Sequence, residues 1–412
     1  MKPKLLGLLG LGLLFMAAGL SFAAGKVEVF SWWTGGGEAQ GLQALITQYE
    51  RQSPGVKFIN ATVAGGAGVN SQKILKTRML GGNPPDSFQV HGGAELTNLY
   101  AKMGMLEPLN RLIDFKGFNR QIIDLCSYRG RIYAVPVNIH RGNVLWGNSA
   151  ILKRYHIAMP KTIPALFKAC RKLKRKGIDA LALGDTDKWE ALQLFENILL
   201  ATLGPKRYNG LWKGKTSFAV PGVKKALARF LKSVKYINRD HSALGWQEAA
   251  AKVYAGEAAF TVMGDWAEGY FKSVGWTPNR EFCFAPFPGT KGSFMVITDS
   301  FPLPKGAPNR KNAIAWLKTV ASIEGQDAFN PLKGSIPARL DANRNRYDVY
   351  LQSSMADFAR DTLTPSIAHG IAAPAGFIVM LNNTLNILMV NHDLEEAAAT
   401  IRRAARRYIK KG

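Results

Sequence analysis

Short alternating runs rich in β-branched residues recur along the first hundred positions, each followed by apolar residues at helical spacing. Residues 26–31 predict a strand, the turn Thr34-Gly35-Gly36-Gly37 leads into a helix with the stripe Leu42, Leu45, Ile46 and Tyr49, and Ser53-Pro54-Gly55 stops it. Residues 56–62 predict a second strand, and Ile74, Leu75 and Met79 mark the next helix. The run Gly81-Gly82-Asn83-Pro84-Pro85 breaks that helix before a third strand over residues 87–91. This order implies right-handed crossovers and a parallel sheet covered on both faces, hence an α/β fold. Ligands of such sheets sit beyond the carboxyl ends of the strands. Trp32 and Trp33 end the first strand and Gln89 and His91 end the third, so these four are expected on one cleft wall. Adjacent strand residues point to opposite faces, and both indoles reach one cleft only if Thr34 and the glycines bend the chain. Glu38 opens the first helix, where its charge also suits the helix dipole.

Further along, residues 128–137 read as a hairpin entering a long extended segment, and Trp146-Gly147-Asn148 begins a new unit. Helices then dominate. Thr162 caps one that Pro164 enters in its first turn, and Pro221 opens another with the stripe Val223, Leu227, Phe230, Leu231 and Val234. Residues 256–263 predict a buried strand that delivers Asp265 and Trp266 to its carboxyl end.

The N-terminus predicts export: Lys2 and Lys4 precede an apolar run over residues 5–20, and Ser21-Phe22-Ala23 supplies small residues for cleavage after Ala23. The first cysteine is Cys126, so no lipid attachment is expected at the cleavage site. A chain of 412 residues exceeds what one core organises and points to two domains. Three cysteines in an oxidising compartment allow one disulfide; Cys170 falls on a helical apolar stripe and reads as a buried thiol, leaving Cys126 and Cys283 as the candidate pair. The net charge of +25 raises nucleic acid or a membrane surface as partners. The basic residues are scattered, however, and the denser patches at residues 168–176 and 402–411 lack interleaved aromatics, so neither partner is expected. No nucleophile elbow, phosphate loop or closely spaced metal-ligand cluster occurs, and neither a metal nor a cofactor is expected.

Three segments together carry a family likeness: Gly130-Arg131-Ile132-Tyr133-Ala134-Val135-Pro136, Gly256-Glu257-Ala258-Ala259-Phe260 followed by Gly264-Asp265-Trp266, and the N-terminal strand and helix. The mature chain resembles the extracellular solute-binding proteins of ATP-driven sugar importers, the class that includes maltose-binding protein. Four motifs bring it nearest the glucose-binding branch: residues 32–38, the turn at 81–85, Lys333-Gly334-Ser335-Ile336-Pro337-Ala338-Arg339, and Ser366-Ile367-Ala368-His369-Gly370. The resemblance implies a type II periplasmic clamshell, each lobe a mostly parallel sheet flanked by helices, crossed three times by the chain. It divides the chain into residues 24–137 with 299–345 for the first lobe and 138–298 with 346–412 for the second. It places Trp32, Trp33, Glu38, Gln89 and His91 on the first lobe's cleft wall, Trp266 opposite, Asp299 near a crossing, and Lys333 and His369 from later motifs. Asn138 and His140 follow a crossing and are further candidates. A monomeric periplasmic protein delivering a sugar to an inner-membrane permease is implied.

The residue types suit a sugar independently. A pyranose has apolar C–H faces and a belt of hydroxyls, so its site needs flat aromatic platforms and donors and acceptors in the ring plane. Trp32, Trp33 and Trp266 supply platforms, Glu38 and Asp299 accept, Lys333 donates, and Gln89, His91 and His369 do either. Bonds to charged partners contribute roughly 1.5–3 kcal/mol each, so a few with stacking reach the roughly 8 kcal/mol of micromolar binding. Two rivals remain: an exported glycoside hydrolase using Glu38 and Asp299, and the same clamshell binding an anion, metal or polyamine. The basic surface suits an acidic medium. Circular dichroism against pH is expected to show folded protein persisting below about pH 4, and a sharp loss of structure there would contradict that reading.

Overall fold

A computed structural model describes residues 25–65 and 68–409. The expected leader, residues 1–23, lies outside them. In chain order the strands are β1 (Lys26–Ser31), β2 (Lys57–Thr62), β3 (Ser87–Phe88), β4 (Val90–His91), β5 (Ser127–Tyr128), β6 (Arg131–Ile132), β7 (Ala134–Pro136) and β8 (His140–Arg141). They continue with β9 (Val144–Asn148), β10 (Asp179–Ala182), β11 (Ala258–Met263), β12 (Phe282–Pro286), β13 (Ser293–Ile297), β14 (Asp299–Pro302) and β15 (Thr362–Pro365).

The N-terminal alternation forms the parallel sheet it predicts, in the order β2-β1-β3. Leu42, Leu45, Ile46 and Tyr49 of the helix Gly36–Gln52 are all buried against it. The third strand departs from expectation by breaking at Gln89. Residues before it pair with β1, and His91 beyond it pairs with β14, so one strand serves two sheets. That second sheet, β4-β14-β7, is antiparallel throughout. The other lobe is built on β10-β11-β9-β12 and β15-β13-β8. There β10 with β11 and β13 with β15 run parallel, while β9 and β8 run antiparallel to their neighbours. The two-lobed α/β architecture is therefore the expected one. Apart from the local hairpin β5–β6, its antiparallel pairs involve strands by which the chain enters or leaves a lobe, because a strand arriving from the other lobe comes from the opposite direction to one preceded by a crossover helix.

Two connections between the lobes lie side by side. β7 and β8 are joined by Val137-Asn138-Ile139, and β13 and β14 by the single residue Thr298. Val137 N–H donates to Asp299 O, the Asn138 side-chain carbonyl accepts from Asp299 N–H at 2.8 Å, and Thr298 Oγ1 donates to Asn138 O at 2.7 Å. The two strands thus cross as one laced ribbon. A third link joins Ile139 and Ile336 by paired backbone hydrogen bonds.

The expected hairpin is β5–β6, turned by Arg129 (φ 50°) and Gly130 (φ 74°). β11 is buried along its whole length, as its sequence predicts. The candidate disulfide is not formed: Cys126, Cys170 and Cys283 are all free thiols. Cys126 packs with Phe88 and Tyr100 in the first lobe's core, whereas Cys283 belongs to β12 of the second lobe and faces Gly147. Cys170 is the buried thiol expected, and burial pushes its pKa up to about 12. No helix among the described residues is long and apolar enough to cross a membrane.

The first helix approaches its neighbours so closely that only glycine fits at its start. A Cβ on Gly37 would lie 2.4 Å from Leu332 O and 2.7 Å from Gly269 C, both main-chain atoms. Gly37→Ala is expected to lower unfolding stability by about 2 kcal/mol or more, read from denaturant midpoints, with the m-value unchanged.

Candidate functional site

The site is organised around Asp299, and strand pairing is what assembles it. The β4–β14 register sets His91 directly across from Asp299, and the β8–β13 register sets His140 across from Ile297, on the other side of Thr298. Residues far apart in sequence and in different lobes therefore meet at the crossing. The Asp299 carboxylate accepts from Gln89 Nε2 at 2.8 Å and from Asn138 Nδ2 at 2.8 Å. His140 Nε2 lies 3.4 Å from one carboxylate oxygen and His91 Nε2 3.8 Å from the other. Each histidine is anchored on its far side by a second carboxylate, His91 Nδ1 by Glu95 at 2.8 Å and His140 Nδ1 by Asp265.

All seven members are buried, and charge burial is tolerable only with partners of this kind. Burial alone would raise the Asp299 pKa. The hydrogen bond from His140 and the positive charges of His91, His140 and Lys333 overcome it and hold the carboxyl well below the usual carboxylate range. For His91, burial pulls the pKa down, but Glu95 and Asp299 outweigh that and leave it raised. His369 has no such partner: burial, reinforced by the nearby His91 charge, pushes its pKa well below the ordinary imidazole value. It is a neutral ring beside charged ones.

His91, His140 and Asp299 of this cluster line a cavity of about 380 Å³. Trp32, Trp33, Glu38, His91, Trp266, Asp299, Lys333 and His369 all reach its wall. Gln89 does not. It stands behind the wall, accepting from Trp32 N–H at 3.1 Å and donating to Asp299, which positions two wall residues. The two neighbouring indoles divide roles. Trp32 lies 5.0 Å from the His91 ring, whereas Trp33 is only 2% exposed and packs on Phe301 and Phe329, so it is chiefly core.

Lys333 ends the helix Ile323–Lys333, stopped by Gly334 in the left-handed region (φ 80°). A Cβ there would lie 2.4 Å from Asp265 O, so the Lys-Gly pair fixes how the ammonium enters the site. Its Nζ donates to Glu38 at 2.8 Å and lies 5.6 Å from both the Trp33 and Trp266 ring centres. Trp266 follows β11, with its ring 5.3 Å from His140 and 4.9 Å from His369.

Several wall residues escaped the sequence reading. Trp189, 5.2 Å from His369, begins the helix Trp189–Trp212, and Trp246 begins the helix Trp246–Tyr254. Thr186, Asp187, Gln247 and Glu248 accompany them. Thr186, Asp187 and Trp189 follow the carboxyl end of β10, a strand too short and alanine-rich to announce itself; recognising it would have flagged Trp189 by the rule that found Trp32. No group of three or more His, Cys, Asp or Glu among the described residues is arranged to hold a metal ion.

Comparison with known proteins agrees with this geometry. The family model described as bacterial extracellular solute-binding protein matches residues 33–327. An uncharacterised ABC transporter extracellular-binding protein of Pyrococcus horikoshii is 41% identical, over 91% of this chain and 86% of its own length. The glucose-binding protein GlcS of Saccharolobus solfataricus is 26% identical, over 74% of this chain and 59% of its own. Among solved structures, the bacterial solute receptor AcbH superposes with a TM-score of 0.81 at 19% identity, covering 93% of this chain and 98% of its own. The chain belongs to the bacterial extracellular solute-binding protein family.

Proposed function

We propose that this protein is the sugar-binding component of an ABC importer, taking up a monosaccharide, glucose or a close epimer, between its lobes. The observation that carries this reading is the composition of the cavity wall: indole rings of Trp32, Trp189, Trp246 and Trp266 together with a balanced set of buried acids and bases. A polyamine would face the Lys333 ammonium and the His91 ring, and an anion would face Asp299 and Glu38, so either ligand meets a like charge. A neutral polyol uses both signs, donating to carboxylates and accepting from the lysine. The volume of about 380 Å³ sits near the lower end for ligand pockets, which favours a short sugar over an extended oligosaccharide. The glucose-binding name of GlcS supports the finer assignment.

Half the wall comes from each side of the laced crossing, so a bound sugar bridges the lobes and stabilises the closed form by its differential affinity. We place the lobe boundaries at residues 24–137 with 299–345 and 138–298 with 346–412, which set the two sheet switches at 137/138 and 298/299. A monomer released into the periplasm after cleavage behind Ala23 delivers its sugar to the membrane permease. No chemistry on the sugar is part of this reading, and incubation with oligosaccharides is expected to release no products.

The two indoles at the end of β1 and the one after β11 separate binding from folding. Trp266→Ala should weaken glucose affinity in calorimetry by about 30-fold, the loss of a central aromatic contact, measured on protein shown to be folded by circular dichroism. Trp33→Ala should instead cost about 3–5 kcal/mol of stability, as a filled core position. Unchanged affinity of Trp266→Ala for every sugar that shifts the melting temperature of the parent would refute the site.

A further inference from the structure

Behind the cavity wall of the second lobe lies a buried carboxylate that the binding site itself does not use. Glu196 is fully buried in the helix Trp189–Trp212 and faces the turn that carries His369. Its Oε2 accepts from the backbone N–H groups of Ile367 at 2.6 Å and Ala368 at 3.2 Å. Ser366 Oγ donates to its Oε1 at 2.9 Å. The same hydroxyl oxygen accepts from His369 N–H at 3.3 Å and lies 3.0 Å from His369 Nδ1. Tyr208, beyond the kink at Gly204 (φ 72°), ties the start of this turn by donating to Pro365 O at 3.1 Å.

A serine hydroxyl has one proton and two lone pairs. With its proton given to Glu196 and one lone pair taken by the His369 backbone, a lone pair remains that can accept, and among the described residues the group placed to donate to it is Nδ1–H. We infer that Glu196 is a positioning residue that acts through Ser366 to fix His369 as the Nδ1-protonated tautomer, leaving Nε2 as a hydrogen-bond acceptor for the ligand. His369 Nε2 makes no hydrogen bond among the described residues, and its ring lines the cavity between Trp189 and Trp266. The charged groups around that ring, His91, His140, Lys333 and Asp299, act on its protonation; of the two nitrogens, the tautomer is set from behind. His369 then serves specifically as an acceptor for a sugar hydroxyl, a role that rests on the proposed sugar site, whereas the relay itself does not.

The chain of bonds is reversible. Two backbone N–H groups occupy Oε2, so a proton on the carboxyl sits on Oε1 and points at Ser366 Oγ, which turns the serine proton onto Nδ1 and moves the imidazole proton to Nε2. Burial lifts the Glu196 pKa to about 7, opposed by the Ile367, Ser366, Ala368 and Tyr208 donors, so wild type should make this reversal as the pH falls through about 7. Glu196→Gln imposes it at every pH, because its amide donates where Oε1 accepted.

Glu196, Ser366 and His369 belong to one lobe, so the test needs no sugar and no particular lobe angle. Long-range proton–nitrogen NMR spectra of the sugar-free, ¹⁵N-histidine-labelled full chain at about pH 8 are expected to show His369 protonated at Nδ1, and Glu196→Gln to show it protonated at Nε2. Ser366→Ala, which keeps the carboxylate and removes the relay, should give a mixture of the two and serves if Glu196→Gln does not fold. The same tautomer in wild type and Glu196→Gln, or in wild type and Ser366→Ala, would overturn the relay, since a carboxylate that merely braces the turn moves no proton. Failure of glucose to bind with the tautomer reversal intact would overturn the sugar reading alone.

Discussion

Burying the negative charge of Asp299 where the two lobes join is the constraint on which the site depends. A carboxylate at that depth is expensive, and the compensating groups reach it from stretches far apart in sequence: Gln89 from the β3–β4 switch with His91 from β4, Asn138 from the crossing with His140 from β8, and Lys333 from the end of a helix. Those partners then need partners of their own, which Glu95 and Asp265 provide. The result is a polar layer in which acids and bases alternate across the crossing and few groups can move alone. The same layer faces the cavity, so the groups that make its burial tolerable also present donors and acceptors to a ligand.

Much of this was legible in the sequence because it follows from local rules. The strand ends at Trp32, His91 and Trp266 are fixed by hydrophobic period and by turns of glycine and proline, and a strand end in an α/β sheet is where ligands collect. Residues set by register between distant strands were less accessible. That Gln89 would retreat behind the wall depends on the strand breaking there to serve two sheets, and that Trp33 would turn inward depends on Phe301 and Phe329, hundreds of positions away. Trp189 and Trp246 were missed because the strand that aims the first is short and buried, while the second only opens a helix and follows no strand end. Whether Cys126 and Cys283 pair was open in the sequence for a simpler reason: cysteine count carries no information on distance, and the two free thiols belong to separate core clusters.

The aromatic and ionic components have separable roles. In the proposed sugar site, indole faces would contribute affinity with little directionality, and the charged and imidazole groups would decide which hydroxyl pattern is accepted. Fixing the protonation of His369 from behind would make that second contribution definite, since a ring free to exchange tautomers accepts and donates alike and discriminates less. Rigid halves that each hold part of such a set gain their full complement of bonds only when closed, so recognition and closure become one event.

Small-angle X-ray scattering of the full chain with and without glucose tests that coupling most directly. The account predicts a smaller radius of gyration on saturation with glucose and none of that contraction in Asp299→Ala, in which the layer joining the lobes has lost its centre. Superimposable scattering curves for the wild-type protein, sugar-free and sugar-saturated, would contradict it.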